Sequence, residues 1–133
     1  NVRALGVRDD VPALLNAADI IVSGSAFGEG FSNALAEGMS TGLVPVATDV
    51  GDARLIAGEV GTIVPPGDAS ALRDGLGALL ALSDDAMVER GAAARMRIAG
   101  EFGLDRMIDR FAALYDTPTD VAPSASDPTP QHI

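Results

Sequence analysis

The chain has 133 residues, and its nine basic residues, all arginine, face 19 acidic ones for a formal net charge of −10. This balance argues against DNA, RNA or an anionic membrane as the main partner, because each of these recruits basic surfaces. The chain is 47% hydrophobic, enough for the core of one domain of ordinary size, and has no apolar run of bilayer-spanning length. Without cysteine, and with His132 as the lone histidine, it cannot form disulfides, thiolate zinc sites or a Ser-His-Asp triad.

The first third of the chain alternates apolar runs with a helical stretch. Residues 2–5 predict a first short strand. Asp10 is placed as the N-cap of a helix, with Pro12 tolerated in its first turn. The continuous apolar run Ile20–Ser23 predicts a second strand, buried on both faces. The side chains expected on the buried face of the first helix are Leu14, Leu15 and Ala18.

The middle of the chain continues the alternation. A helix is predicted over residues 32–41, with Gly42 directly after its end. Val44–Thr48 predicts a third strand, in which Pro45 must sit near the start because it lacks an amide donor. Residues 61–64 predict a fourth strand.

Three more helices are predicted before the composition changes. Asp68 caps a helix that continues to about residue 82, and Ser83 or Asp84 opens another to about residue 100. A last amphipathic helix covers residues 104–115, with apolar residues at helical spacing. From residue 117 the chain is rich in Pro, Ser, Thr, Ala and Asp, a composition typical of a flexible tail.

This order of elements predicts an α/β fold, a Rossmann-like parallel sheet flanked by helices. In such sheets, ligands bind outside the carboxyl ends of the strands. Val7, Glu29 and Asp49 each follow a predicted strand and therefore fall on that edge.

Glu29 and Glu37 lie eight positions apart around the predicted start of a helix. The amides of the first helical residues are free donors that, with the helix dipole, suit a diphosphate. Glu37 leans back toward the helix start, where it can reach hydroxyls next to the phosphate, and Glu29 lies on the other side. The plainer alternative is a solvated helix residue and a loop charge that share this spacing by chance. The three donor amides are those of Asn33, Ala34 and Leu35.

Residues 29–39, EGFSNALAEGM, resemble the E-x7-E signature of retaining glycosyltransferase family 4, which has the GT-B fold. The flanking blocks at residues 6–19, 42–51 and 61–68 are similar to those of the family in the same order, so the resemblance covers about residues 2–115.

The resemblance implies transfer of a sugar from a nucleotide-diphosphate-sugar donor to a glycan, lipid-linked or small-molecule acceptor, with no metal or further cofactor. It makes Glu29 the catalytic residue, in contact with the donor hexose near the reacting centre, and Glu37 the ligand of the ribose hydroxyls. The remaining implied donor contacts are the backbone at Gly30, Phe31, Ser32 and Asn33 (hexose), Ala34 and Leu35 (phosphate), and Val7 and Arg8 (nucleobase).

The resemblance also implies that the site is shared with residues outside this chain. Residues 1–116 correspond to part of a C-terminal nucleotide-sugar-binding domain, and residues 117–133 to a tail. The acceptor-binding N-terminal domain, two strands and the family's basic Arg/Lys pair have no counterpart here, and Asn1 is not an initiator methionine. We therefore expect a piece of a longer cytoplasmic enzyme of polysaccharide biosynthesis, membrane-associated, if at all, through other regions. Alone, it is expected to be inactive and prone to self-association.

Two other functions fit the same fold. One is a non-catalytic GT-B-like module in a polysaccharide assembly complex. The other is a sugar-nucleotide epimerase, which would isomerise its donor without an acceptor.

Overall fold

A computed structural model describes residues 2–116 of the chain. They divide into two compact units, one ending at Gly103 and the other beginning at Leu104. The elements of the first unit, in order, are α1 (Val11–Asn16), β1 (Ile20–Ser23), α2 (Asn33–Ser40), β2 (Val44–Thr48), α3 (Ala53–Ala57), a 3₁₀ turn (Gly58–Val60), β3 (Thr62–Val64), α4 (Ala69–Leu80) and α5 (Asp84–Glu101). The described part of the second unit is α6 (Leu104–Asp116).

The three strands form a parallel sheet in the order β1-β2-β3. Ile20 pairs with Val44 across the first ladder, and Val46 pairs with Thr62 across the second. The predicted α/β, Rossmann-like class with a parallel sheet is confirmed. Because the strands are parallel, their carboxyl ends meet at one edge of the sheet, where the loops that follow β1 and β2 also lie.

The core is built on both faces of β2, whose five residues are all buried. On one face, Leu35 and Met39 of α2 pack with Ile56 of α3 and Ala94 of α5. On the other face, Val44 and Val46 pack with Leu79 of α4. Helices therefore cover the central strand on both sides.

The sequence-based expectations for the start of the chain are wrong in three respects. Residues 2–5 form no strand, and α1 has no buried residue: Leu14 and Leu15 are half-buried and Ala18 is exposed. In β1, Val22 is 44% exposed, so this strand is not buried on both faces. These three errors have the same cause. Among the described residues β1 pairs only with β2, so the outer edge of β1 is open.

The predicted capping signals mark the ends of α2 and the starts of α4 and α5, but the predicted cap of α1 does not form. Ser32 and Thr41 bound α2, and Gly42 adopts φ +95° directly after it. The carboxylate of Asp68 accepts a hydrogen bond from the Ala71 amide at 2.9 Å, and Ser83 caps α5 in the same way. Asp10 takes the N-cap position of α1 without making the predicted capping hydrogen bond, because its side chain pairs with Arg8.

The helices after β2 differ from the prediction in two places. Helix α4 ends at Leu80, two residues early, and α3 with its 3₁₀ turn was not predicted. Helix α6 forms where predicted, and its side chains are exposed. The predicted tail and His132 lie outside the described residues. Within residues 2–116 no helix combines the length and the apolarity that crossing a membrane requires.

Candidate functional site

The loop after β1 carries Glu29 at the carboxyl edge of the sheet. The hydroxyl of Ser25 donates a hydrogen bond of 2.7 Å to Oε1 of Glu29, and both residues are half-buried. Gly28 has φ +79°, a conformation that glycine adopts at little cost and that turns the loop back on itself. The carboxylate is therefore held within the loop and still reaches solvent.

The end of β2 anchors this loop. Thr48 is 4% exposed, and its hydroxyl donates to the carbonyl oxygen of Ser25 at 2.6 Å. A longer contact of 3.4 Å joins the same hydroxyl to the carbonyl oxygen of Ser23. The buried central strand therefore fixes the backbone from which the Glu29 loop starts.

The loop after β2 supports the Glu29 loop from a second direction. The amide of Asp52 donates to the carbonyl oxygen of Gly30 at 3.0 Å. Gly51, with φ +56°, lies so close to the Glu29–Gly30 backbone that it leaves no space for a side chain. The loop after β2 therefore holds the backbone of Gly30 in place shortly before α2 begins at Asn33.

Helix α2 presents an N-terminus that its own cap residue does not cover. Ser32 occupies the N-cap position with φ −77° and ψ 96°, is 7% exposed, and its side chain makes no capping hydrogen bond. The first amide that bonds to the Ser32 carbonyl is that of Ala36, at 3.1 Å. The amides of the first turn are therefore available donors for an anion. They belong to Asn33 and Ala34, which are exposed, and to Leu35, which is completely buried.

The predicted site residues along α2 divide into exposed and buried ones. Asn33, Ala34 and Glu37 are exposed, and Glu37 has solvent around it one turn beyond the helix start. Leu35 is completely buried in the core, main chain included, and offers no surface to a ligand. Phe31 is 41% exposed and packs its ring on Phe102, with centroids 5.4 Å apart at 57°. That ring contact ties the loop to the end of α5, a role that the sequence did not suggest.

Val7 and Arg8 lie in the irregular segment before α1. Val7 is fully exposed. Arg8 forms a two-pronged ion pair with Asp10, with Nε 2.6 Å from Oδ1, which holds the pKa of the Asp10 carboxyl below its usual range. Among the described residues, the hydrogen bonds of Arg8 are those to Asp10 and do not join it to the Glu29 loop. The nucleobase role of Val7 and Arg8 stays a prediction.

The sequence places Asp49 on this edge but predicts neither its ion pair nor the nearby cavity. Asp49, directly after β2, forms an ion pair with Arg54 of α3 at 2.6 Å, and this arginine lowers the pKa of the aspartate. A cavity of about 200 Å³ opens between the ends of β1 and β2 and the start of α4. Its lining includes Gly24, Ala26, Thr48, Asp68 and Leu72. Within residues 2–116 no group of three or more acidic, histidine or cysteine side chains is arranged to hold a metal ion.

Comparison with known proteins identifies the family of this chain. Residues 1–82 match the family model described as glycosyl transferases group 1. The chain belongs to this family. It is 35% identical, over 121 residues, to a phosphatidyl-myo-inositol mannosyltransferase of Mycobacterium leprae (strain TN), an alignment that covers 88% of this chain and 32% of that protein.

Two solved structures share the fold of this group 1 glycosyltransferase chain. A glycosyltransferase from Rickettsia africae ESF-5 is similar with a TM-score of 0.72 and 26% identity, over 81% of this chain and 29% of that one. A sucrose-phosphate synthase from Thermosynechococcus elongatus is similar with a TM-score of 0.67 and 30% identity, over 77% and 26%. The chain therefore spans about a third of the curated relative and less of either structure.

Proposed function

We propose that this chain is the donor-binding part of a retaining glycosyltransferase that moves a hexose from a nucleotide-diphosphate sugar to a glycan or lipid acceptor in the cytoplasm. One observation carries the proposal: the Glu29 carboxylate, fixed by Ser25 at 2.7 Å, lies one short loop before the uncovered N-terminus of α2. A fixed carboxylate one short loop before an anion site suits a ligand in which a sugar is linked to a diphosphate.

In this proposal the two ends of the donor are held by different groups. The α2 amides bind the diphosphate, and the helix dipole stabilises the negative charge that grows on it as the sugar departs. Glu29 accepts hydrogen bonds from hexose hydroxyls and holds the reacting carbon near the acceptor. Glu37, exposed one turn along α2, accepts from the ribose hydroxyls. The two glutamates act as hydroxyl ligands on either side of the diphosphate.

The diphosphate also needs cationic partners, and this chain is strongly acidic. The arginine nearest along the chain to the Glu29–Glu37 segment, Arg54, is already paired with Asp49. We therefore expect the neutralising cations to come from the part of the protein outside these residues. The same part would supply the acceptor site.

The mannosyltransferase relative suggests which substrates to try first. That protein is named for transfer of mannose to phosphatidyl-myo-inositol, and it is 35% identical to this chain. A nucleotide-diphosphate mannose and an inositol lipid are therefore the first donor and acceptor to test with the full-length protein.

The test is a kinetic comparison of Glu29→Gln and Glu37→Gln in the full-length protein. Glu29→Gln should lower kcat by about 100- to 1,000-fold, because it removes a contact at the reacting centre. Glu37→Gln should weaken donor binding by about 10-fold with a smaller change in kcat, because its partner does not react. Glu59→Gln, at an exposed position in the 3₁₀ turn, is the matched control and should leave both constants unchanged.

The product identifies the reaction class. NMR of the new glycosidic bond should show the anomeric configuration of the donor, which is the meaning of retention. Inversion would contradict the retaining mechanism. Isomerised donor in the absence of acceptor would indicate an epimerase, and calorimetry without binding of any nucleotide sugar would indicate a non-catalytic module.

A further inference from the structure

We propose that Ser25 is a positioning residue that fixes the Glu29 carboxylate, and that Thr48 holds Ser25 in place for this task. The inference rests on the proposed function, in which Glu29 contacts the donor hexose. Its basis is a continuous path of short hydrogen bonds from the sheet to the carboxylate: Thr48 Oγ1 to the Ser25 carbonyl at 2.6 Å, then Ser25 Oγ to Glu29 Oε1 at 2.7 Å.

The carboxylate depends on this path because little else restrains it. A glutamate side chain has three rotatable bonds, and ordering it opposes its conformational entropy. Neighbouring loop residues add little packing, since Phe27 is 87% exposed and Ala26 and Gly28 are exposed as well. Within residues 2–116, the bond from Ser25 is the hydrogen bond that the Glu29 side chain makes. It engages Oε1, so that Oε2 can accept from a sugar hydroxyl.

Thr48 supplies the rigid end of the path. It is the last residue of β2, whose five residues are all buried, and it is itself 4% exposed. Its hydroxyl reaches across to β1 and the following loop, with the Ser23 carbonyl as a second, longer contact at 3.4 Å. The orientation of Ser25 is therefore set by the best-packed strand of the sheet, and the loop presents the Glu29 carboxylate in a defined direction.

A positioning role predicts a specific kinetic signature. In the full-length protein, Ser25→Ala should lower kcat by about 10- to 100-fold, because misdirecting a group at the reacting centre is costly. The donor KM should change by less than about threefold, since the diphosphate and ribose contacts remain. Ser25→Thr keeps the hydroxyl and should restore kcat to within about threefold of the parent.

A double variant separates positioning from a general structural effect. If Ser25 acts through Glu29, Ser25→Ala should cause no further loss of kcat in a Glu29→Ala background, which lacks the acceptor of the Ser25 hydrogen bond. Ser40→Ala is the matched control, because Ser40 also donates a 2.7 Å hydrogen bond, to the Glu37 carbonyl, but at the far end of α2. Ser40→Ala should leave kcat unchanged. Thr48→Val should lower kcat in the same way as Ser25→Ala, and Thr48→Ser should keep it.

The outcomes distinguish this inference from the proposed function on which it rests. If Glu29→Gln is impaired while Ser25→Ala keeps full kcat, the positioning role is wrong and the proposed function stands. If the losses of kcat from Ser25→Ala and Glu29→Ala multiply fully, Ser25 acts elsewhere and the inference is again overturned. If Glu29→Gln itself keeps full kcat, the proposed function fails. If Thr48→Val does not fold, the kcat values of Thr48→Ser, Ser25→Ala and Ser25→Thr still decide whether the positioning role is correct.

Discussion

The backbone of Gly51 packs directly on the carbonyl group of Gly30. A Cβ atom at Gly51 would lie 2.4 Å from the Gly30 oxygen and 2.6 Å from the Glu29 oxygen, well inside any permitted contact. Gly51 also has φ +56°, and the adjacent Asp52 amide donates to the same Gly30 oxygen at 3.0 Å. The loop after β2 is therefore a backbone support for the loop that carries Glu29, and only glycine fits there.

Gly51→Ala should therefore displace the Glu29–Gly30 backbone. We expect kcat of the full-length protein to fall by about 100-fold, because small misplacements of a group at the reacting centre are costly. The KM for the donor should change less, since α2 itself is untouched. Steady-state kinetics with saturating acceptor would measure both constants.

A matched glycine distinguishes this effect from a general intolerance of alanine. Gly77 is exposed inside α4, and a Cβ there would meet nothing within 4 Å. Gly77→Ala should leave kcat unchanged and stabilise the helix by about 0.5–1 kcal/mol. Equal kcat for Gly51→Ala and the parent protein would show that the two loops are not mechanically linked.

A second glycine prediction concerns the core. Gly91 of α5 is buried against the turn between α2 and β2, where a Cβ would lie 2.3 Å from the carbonyl oxygen of Gly42. Gly91→Ala should separate the two backbones and cost about 1–3 kcal/mol, the usual price of overpacking. Hydrogen exchange of α5 amides in the full-length protein would report that loss. Gly100→Ala, on the same helix with open space around it, should slow exchange instead.

The elements around the candidate site follow from local sequence signals. Ile20–Ser23 and Val44–Thr48 form strands with the predicted bounds, and Ser32 and Gly42 mark the ends of α2 as predicted. Neighbouring residues alone determine a strand in a short apolar run, a helix start at an N-cap residue and a helix end at a glycine with positive φ. Predicting these elements therefore needs no knowledge of the rest of the fold.

The failed predictions depend on which partner a strand or a side chain meets in the folded chain. A run such as residues 2–5 becomes a strand only beside another strand, and the outer edge of β1 receives none from the described residues. The Asp10 side chain pairs with Arg8 and does not cap α1, because the guanidinium competes with the helix amides for the same carboxylate. The capping rule does not consider such a competitor. The bond between Ser25 and Glu29 has no sequence signal either, because it depends on how the loop turns at Gly28.

The ion pair at the end of β2 gives a pH-dependent prediction. The hydrogen bonds from Arg54 hold the pKa of Asp49 below its ordinary value of 3.8. The folded-state pKa is thus lower than the unfolded one, so the pair stabilises the fold above about pH 3.8 and loses its effect as pH falls through the folded pKa. Arg54→Ala should raise the Asp49 pKa toward 3.8, as followed by carboxyl NMR. Arg73→Ala, whose partner is the adjacent Asp74, should leave it unchanged.

Arg97 should prove to be a structural link between α5 and α3. Its guanidinium donates to the carbonyl oxygens of Ile56 and Leu55, at 2.8 and 2.6 Å, at the end of α3. Arg97→Ala removes charged donors from these carbonyls and should lower the opening free energy of α3, measured by hydrogen exchange, by about 1.5–3 kcal/mol. Arg95→Ala, at an exposed position on the same helix, should change it by less than about 0.5 kcal/mol. Equal protection of α3 in both variants would mean that water replaces the guanidinium without loss, and that the link contributes nothing to the stability of the segment that follows the Gly51 loop.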